Sequence, residues 1–297
     1  MRVVLAGSSG LVGTALVPLL RQAGHGVVRL VRRRPTVPDE RGWDPPAGRL
    51  DDDALESADA VVNLCGVGIG DRRWTGEYKQ QLRDSRVVPT EVLAAAVAER
   101  GVPMLLNASG ANYYGDTGER TVDETEPAGR GFLAGVCQDW EAATAAAQDA
   151  GARVVLTRSG VVISRSGGLV GQLRPIFALG LGGRLGSGRQ FMPWISLEDA
   201  VGVIRFALEQ ESVRGPVNVV GPNAATNAEF TRALGEALHR PAALVVPGLA
   251  LKAARGAELA EELVLTGPRV RPMVLEKHGY PFAHPTIDAA VTAAVET

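Results

Sequence analysis

Short apolar segments alternate with longer segments of helical periodicity along the first half of the chain, and this alternation limits the fold most. Within each apolar segment the residues are apolar throughout, without polar residues at every second position. This is expected for parallel strands that helices cover on both faces. The predicted strands are residues 3–6, 27–31, 60–64, 104–108 and 154–157, and the predicted helices are 11–23, 77–100 and 132–150. The pattern predicts an α/β protein with a doubly wound parallel sheet.

After about residue 160 the alternation loosens, and glycines at 167–168 and 180–188 separate shorter segments. Residues 197–210 predict another helix and 217–220 another strand, followed by a helix-rich portion from Thr226 onward. No internal repeat or low-complexity linker separates the two portions. We expect a larger domain of residues 1–160 plus about 195–222, and a smaller C-terminal α+β lobe of about 161–194 and 223–297.

Charge and cysteine content argue against several classes of protein. The 31 basic and 33 acidic side chains give a net charge of −2, so no nucleic-acid partner is expected. No stretch approaches the roughly 20 apolar residues of a membrane span, and residues 7–10 end the first apolar run too early for a signal peptide. The two cysteines and four histidines show no metal-ligand spacing. We expect a metal-free cytoplasmic protein with a small-molecule partner.

Residues 7–13, G-S-S-G-L-V-G, form a glycine-rich turn between the first predicted strand and the first predicted helix. Gly7 permits the tight turn, Gly10 lets a pyrophosphate approach the backbone, and Gly13 allows close packing of helix and strand. Ser9 lies in the same turn. The helix N-terminus adds partial positive charge. This placement favours a dinucleotide site over a purely structural turn.

The second predicted strand ends in Arg32, Arg33 and Arg34, roughly 20 residues beyond the glycines, where NAD-binding proteins carry an acidic residue. A carboxylate there would hold the ribose hydroxyls of NAD. A guanidinium instead pairs bidentately with the 2′-phosphate of NADP. A solvated basic turn is the alternative interpretation. The position of Arg32 predicts NADP(H) as the cofactor.

Further motifs follow in a fixed order along the whole chain. They are W-D-P at 43–45, N-L-C-G at 63–66, R-R-W-T at 72–75, R-D-S-R at 83–86, S-G-A-N-Y-Y-G at 109–115, R-S-G-V-V at 158–162, G-P-N-A-A-T-N at 221–227 and G-P-R-V-R-P at 267–272. With the glycine turn, the series resembles an atypical extended short-chain dehydrogenase/reductase. It is most similar to the subgroup called epimerase family proteins, which carry a short C-terminal domain of unknown function. The resemblance implies a Rossmann-type NADP(H)-binding domain with a smaller substrate lobe.

The resemblance also implies which residues contact the cofactor. They are Gly7, Ser9, Gly10, Leu11, Val12, Arg32, Leu64, Cys65, Gln81, Arg86, Ala108 and Val162. Leu64 and Cys65 would form a wall beside adenine and ribose, and Gln81 and Arg86 would close over the cofactor from the following helix. Cys65 replaces the alanine usual in the family. Since both side chains are small and apolar, we expect little consequence.

Typical members of the wider superfamily use a tyrosine and a lysine four residues later, and this chain lacks the pair. The lysine lowers the pKa of the tyrosine so that it can pass a proton to a carbonyl. Here Cys137 occupies the tyrosine position and Glu141 the lysine position. An ionised carboxylate would raise the pKa of a neighbouring acid. The usual proton route is therefore closed, although the cofactor site is expected to remain.

Ser109 and Tyr114 are the remaining candidates for proton transfer, with a loop-capping hydroxyl and an aromatic plug as the structural alternatives. Cys137 is expected to be a packing residue. Tyr113, Arg158 and Trp194 are the candidate substrate residues, because an arginine and aromatic rings at a cleft suit an anionic, partly planar ligand such as a nucleotide sugar.

The sequence therefore predicts an NADP(H)-dependent oxidoreductase or epimerase-like enzyme acting on a carbonyl or nucleotide-sugar-like substrate. The missing tyrosine and lysine keep a second interpretation open. In it, the chain is a dinucleotide-binding sensor or regulator that has lost catalysis.

Overall fold

The computed structural model describes residues 1–296, and its centre is an eight-stranded sheet. The strands are β1 Arg2–Ala6, β2 Gly26–Val31, β3 Glu40–Asp44, β4 Arg49–Leu50, β5 Ala60–Asn63, β6 Met104–Gly110, β7 Thr121–Val122, β8 Arg153–Ser159, β9 Val161–Ile163, β10 Gly183–Leu185, β11 Trp194–Ser196, β12 Gly215–Val219, β13 Leu244–Val246 and β14 Arg269–Val270. The large sheet has the order β12-β8-β6-β5-β1-β2-β3-β4. Its strands pair in parallel from β12 to β3, and the β3–β4 pair is antiparallel.

The helices are α1 Leu11–Gln22, α2 Gly76–Arg100, α3 Phe132–Ala142, α4 Ala145–Asp149, α5 Gly168–Ala178, α6 Leu197–Glu209, α7 Asn227–Ala237, α8 Gly248–Arg255, α9 Ala257–Leu259, α10 Met273–Lys277 and α11 Ile287–Glu296. Side-chain hydrogen bonds cap the N-termini of several helices. At α2, Thr75 accepts from Tyr78 N at 3.1 Å, and at α7, Thr226 forms a capping box with Glu229. Gly101, with φ 64°, ends α2 in the left-handed conformation.

The predicted doubly wound parallel sheet is confirmed. Its strand order reverses between β1 and β5, and ligands of such sheets bind at the carboxyl ends of the strands at this point. The two faces carry separate apolar clusters. Leu16, Leu20 and Ile204 lie in the cluster beneath α1 and α6, while Leu93 and Val97 lie in the cluster beneath α2. Because both faces are covered, β1 is apolar without alternation.

A third apolar cluster lies in the smaller portion of the molecule. It joins residues of α5, α7 and α11, including Phe177, Phe230 and Val291, with Ile163 and Trp194. The predicted domain boundaries stay a prediction.

Two local predictions differ from the structure. The expected helix over 132–150 is two helices, α3 and α4, and the break contains Thr144, whose Oγ1 donates to the Glu141 carbonyl at 2.7 Å. Such back-bonding by threonine competes with regular helix formation. The strands β3 and β4 were not predicted, because E-R-G-W-D has no apolar run.

Candidate functional site

The glycine turn after β1 leaves a cradle at the N-terminus of α1. Gly7 has φ +82°, and a Cβ there would lie 2.8 Å from the Leu64 carbonyl carbon. At Gly13 a Cβ would overlap the Gly7 carbonyl oxygen, whereas at Gly10 it would meet only that oxygen, at 3.5 Å. No side chain of the described chain caps α1, so its first N–H groups remain available for a ligand. These features fit the pyrophosphate of a dinucleotide.

A cavity of about 240 Å³ opens beside this turn at the carboxyl ends of the strands. Its lining includes six of the residues predicted for the cofactor, namely Gly7, Gly10, Leu11, Val12, Leu64 and Ala108. Gly66, just after β5, extends the wall, together with Thr157 and Ser159 on β8 and Val219 on β12. The structure thus brings together sequence positions that span more than half of the chain, at the point where the strand order reverses.

Arg32 is exposed at the end of β2, and among residues 1–296 it has no hydrogen-bond or ion-pair partner. Its neighbour Arg33 is engaged instead, since it donates to Glu40 Oε2 at 2.8 Å. This contact, with the Thr36 amide, holds the pKa of Glu40 at about 2. Burial raises the pKa of Cys65 to about 12, and the nearby charge of Arg32 opposes that rise. The charge of this free guanidinium therefore reaches Cys65, where the adenosine end was predicted.

The other predicted cofactor residues differ in their surroundings. Ser9 is exposed in the turn. Val162 and Leu11 both adjoin Gly168: a Cβ built on Gly168 would be 3.2 Å from the Val162 carbonyl oxygen and 3.4 Å from Leu11 Cδ2. Gln81 is exposed on α2, and its side chain makes no hydrogen bond within the described chain. Arg86, on the same helix, is only 7% exposed.

A buried polar network links both predicted proton-transfer residues. Ser109 Oγ donates to Glu141 Oε1 at 2.7 Å, and the Arg158 Nε and Nη2 atoms each donate to Glu141 at 2.8 Å. Arg158 Nη1 also donates to Tyr114 Oη at 3.0 Å, and this phenol donates to Asn218 Oδ1 at 2.7 Å. The network joins β6, β8, β12 and α3.

The charge of Arg158 is neutralised within this network. Arg158 is 4% exposed, and its Cζ lies 3.4 Å from the Tyr113 ring centroid. Burial would lower the pKa of Arg158, but Glu141 and Tyr114 raise it above its ordinary value. The structure therefore uses this guanidinium in a buried ion pair instead of presenting it to an anionic ligand.

Ser109 and Ala108 point to opposite faces of β6, as successive strand residues do. Ala108 lines the cavity, and the Ser109 hydroxyl points to Glu141 on α3. Trp194 is not brought to the cavity: it is 1% exposed in the core of the smaller portion, and its Nε1 donates to the Asn223 carbonyl at 3.1 Å.

Cys137 has the environment of a packing residue. It is buried, its Sγ lies 3.6 Å from the Gly110 carbonyl oxygen, and burial raises the pKa of the thiol to about 12. A thiolate is therefore strongly disfavoured.

Sequence reasoning missed the roles of Glu141, Asn218 and Glu124. Glu124 is only 7% exposed, and its Oε1 accepts from the Asn218 amide at 3.0 Å and the Val274 amide at 3.2 Å. These contacts join segments far apart in sequence. The sequence contained an indication only for Glu141, the acidic residue at the usual lysine position.

No helix within residues 1–296 combines the length and apolar character needed to cross a bilayer. The same residues contain no group of three or more His, Cys, Asp or Glu side chains placed to hold a metal ion.

Comparison with known proteins agrees with this architecture. Residues 3–221 match the model of the NAD dependent epimerase/dehydratase family, and residues 246–294 match a domain of unknown function, DUF1731. An epimerase family protein of Mycobacterium tuberculosis, MT2273, is 55% identical over 289 residues, which cover 97% of this chain and 96% of that protein. The human epimerase family protein SDR39U1 is 38% identical over 300 residues, covering 99% of this chain and all of that one.

Solved structures of other proteins share this fold. A crystal structure of human SDR39U1 (isoform 2) with NADPH superposes with a TM-score of 0.92 at 36% identity, covering 100% of both chains. The UDP-glucose 4-epimerase of Thermus thermophilus in complex with NAD shares the fold, with a TM-score of 0.77 at 20% identity over 100% of this chain and 98% of that one. The glycine turn, the sheet topology and these matches lead to one conclusion: the chain belongs to the NAD dependent epimerase/dehydratase family and carries the DUF1731 domain at its C-terminal end.

Proposed function

We propose that this protein binds NADP(H) and uses it in an oxidoreductase or epimerase-like reaction on a small carbonyl or nucleotide-sugar-like substrate. The observation that carries the proposal is the free guanidinium of Arg32 just after β2, the strand that pairs with β1 in front of the glycine turn, where the nearby acid Glu40 is already paired with Arg33. The NADPH in the crystal structure of human SDR39U1 supports the same cofactor.

Residues of the turn and of the neighbouring strand ends would contact different parts of the cofactor. Gly7 and Gly10, with the first N–H groups of α1, would hold the pyrophosphate, and Arg32 would hold the 2′-phosphate. Leu64 and Cys65 would cover one side of the adenosine, while Ala108 would lie toward the nicotinamide. When bound, NADP(H) supplies or accepts a hydride.

Replacing Arg32 tests the cofactor assignment. We expect Arg32→Gln to weaken NADPH binding about 10- to 100-fold, because charge-assisted hydrogen bonds to the 2′-phosphate are lost. NADH affinity should change little. Calorimetric titration of both cofactors measures this, with Arg34→Gln as the control that removes a neighbouring exposed cation. Equal losses for NADPH and NADH in Arg32→Gln would contradict the assignment.

We further propose Ser109 and Tyr114 as the groups that supply a proton or hydrogen bond during turnover. Their support is the network that ties both hydroxyls to the ion pair of Arg158 and Glu141. Burial raises the pKa of Tyr114 to about 12, and the charge of Arg158 opposes that rise. Arg158 therefore acts on the phenol in the direction in which the lysine of typical members acts on its tyrosine.

Single-turnover hydride transfer, with a substrate found in a panel of carbonyl compounds and nucleotide sugars, tests these two hydroxyls. We expect Ser109→Ala and Tyr114→Phe each to slow the step by about 100-fold or more while NADPH affinity is retained. Tyr280→Phe is the control, because it removes a half-buried phenol that contacts Asp199 instead. Unchanged rates in both variants would remove them from the chemistry.

A second candidate function is a dinucleotide sensor or regulator. It is favoured by the positions of the usual tyrosine and lysine, which here hold a buried thiol and a carboxylate paired with Arg158. The same panel separates the two. Hydride transfer supports the enzyme, and NADPH binding without transfer to any substrate of the panel supports the sensor.

A further inference from the structure

Two surface segments of the smaller portion are apolar along their whole length. Residues 175–183 are P-I-F-A-L-G-L-G-G and residues 241–250 are P-A-A-L-V-V-P-G-L-A, so neither contains a polar side chain. We call these two segments the apolar patch. Eight large hydrophobic side chains of the described chain are exposed, and six of them lie in the patch: Ile176, Leu179, Leu181, Leu244, Val245 and Leu249. Such a concentration marks a surface that binds a protein or a membrane.

The two segments of the apolar patch form one continuous surface. The Leu244 amide donates to the Gly182 carbonyl at 3.3 Å, and Arg240 Nε donates to the Ala178 carbonyl at 3.0 Å. β10 and β13 then pair in parallel, and α8 follows β13 after a single residue. The most exposed side chains of the patch are Leu179, at 76%, on the first segment and Leu249, at 81%, on the second.

Cations flank both segments of the apolar patch. Arg174 and Arg184 bracket the first segment, Arg240 directly precedes the second, and Lys252 follows the second after one residue. Within the described chain Arg174 and Arg184 have no ion-pair partner, and Arg240 donates only to backbone carbonyl oxygens. The charges of these three arginines are therefore unpaired at the edge of the patch.

Carboxylates are absent from the segments around the patch. Residues 150–197 and 237–257 contain no Asp or Glu. The acidic residues next to the second range are already paired: Glu236 with Arg232, Glu258 with Lys79 and Glu261 with Lys252, each at 2.6 Å. Lys252 is thus neutralised, whereas the three arginines keep their charge.

A groove of about 610 Å³ lies beside β13 within this surface. Its lining combines the apolar residues of β13 with Arg184 and Arg240. The other charged residues of the lining, Arg232 and Glu236, pair with each other. The groove therefore places apolar contacts and unpaired cations side by side, as a phospholipid with an anionic headgroup requires.

A second copy of the chain matches this surface less well than an anionic bilayer does. In a two-fold dimer the patch would meet itself, and the unpaired arginines of both copies would come together. A bilayer instead presents phosphate groups to the arginines and an apolar layer to Leu179 and Leu249. We propose that the apolar patch docks this protein on an anionic phospholipid surface.

The net charge of −2 does not prevent such docking. At physiological ionic strength exposed charges are screened beyond about 8 Å, so contact with a bilayer depends on the charges at the patch itself. The inference is independent of the proposed NADP(H) function, because no residue of the patch lines the cofactor cavity.

Co-sedimentation with vesicles tests the docking. At low ionic strength we expect binding to vesicles of equal parts phosphatidylcholine and phosphatidylglycerol, and no binding to phosphatidylcholine alone. Arg184→Gln should lower the partition coefficient about fivefold, because one cation at the anionic surface is lost. The double variant Leu179→Ser with Leu249→Ser should lower it at least about tenfold, because two apolar side chains no longer enter the bilayer.

Val37→Ser and Arg100→Gln are the matched controls. The first removes an exposed apolar side chain outside the patch, and the second removes an exposed cation at the end of α2. Both should bind the anionic vesicles as the unsubstituted protein does. Circular dichroism and titration with NADPH check that every variant remains folded.

The outcomes separate the possible occupants of the patch. Absence of binding to the anionic vesicles, equal binding to both kinds of vesicle, or unchanged binding of the double leucine variant overturns the inference. So does a dimer in light scattering that Leu249→Ser dissociates, since a second copy would then cover the patch. Failure to bind NADPH overturns the proposed function and leaves the docking standing.

Discussion

Gly10→Val is expected to abolish measurable binding of both NADPH and NADH while the protein stays folded. Gly10 has φ −77° and ψ 173°, a conformation that valine adopts readily, and its Cβ would meet only the Gly7 carbonyl oxygen at 3.5 Å. The branched side chain would fill the space that the pyrophosphate needs. A rise in Kd of at least about 100-fold corresponds to roughly 2.8 kcal/mol.

Calorimetry measures the affinity in Gly10→Val, and circular dichroism checks the fold. Gly13→Ala is the informative comparison, because its Cβ would overlap the Gly7 carbonyl oxygen and strain the turn itself. We expect Gly13→Ala to lose stability as well as affinity. If Gly10→Val bound NADPH as tightly as the unsubstituted protein, the glycine turn would be purely structural.

Glu141→Ala is expected to give the largest loss of stability. It leaves Arg158 buried without its partner, and breaking a buried ion pair on one side lowers the free energy of unfolding by about 3–5 kcal/mol. Denaturant unfolding measures the change. The surface pair of Arg232 and Glu236 is the control, and Glu236→Ala should lower it by less than about 1 kcal/mol.

The double variant Glu141→Leu with Arg158→Met separates the charge from the packing. Replacing both partners by apolar residues of similar size should restore most of the stability lost in Glu141→Ala, because no uncompensated charge remains. A double variant as unstable as Glu141→Ala would show that the network is needed for packing instead.

The strands and turn that form the cofactor site were predictable because their determinants are local. A buried parallel strand is a short apolar run, and the glycines of the turn are adjacent in sequence. The break at Thr144 was not predictable, since a single threonine inside an Ala-rich segment seldom ends a helix. Strand β3 was missed because its residues pair with β2 through the backbone and show no apolar pattern.

The electrostatics of the site could not be derived from sequence, because they depend on contacts between distant segments. The sequence indicated Arg32 by its position alone and could not show that Arg33 is paired, since its partner Glu40 lies on the unpredicted β3. Arg158 was expected to face a ligand, but its partner Glu141 comes from α3. Arg86 was expected to contact the cofactor, and its lack of a counter-ion within residues 1–296 is visible only once α2 and α3 are packed together.

Calorimetric titration of the unsubstituted protein with NADPH and with NADH tests the central claim most directly. The glycine cradle and the free Arg32 predict one NADPH site per chain and an affinity for NADPH at least about tenfold higher than for NADH. Equal affinity for the two cofactors, or no binding of NADPH, would contradict the account.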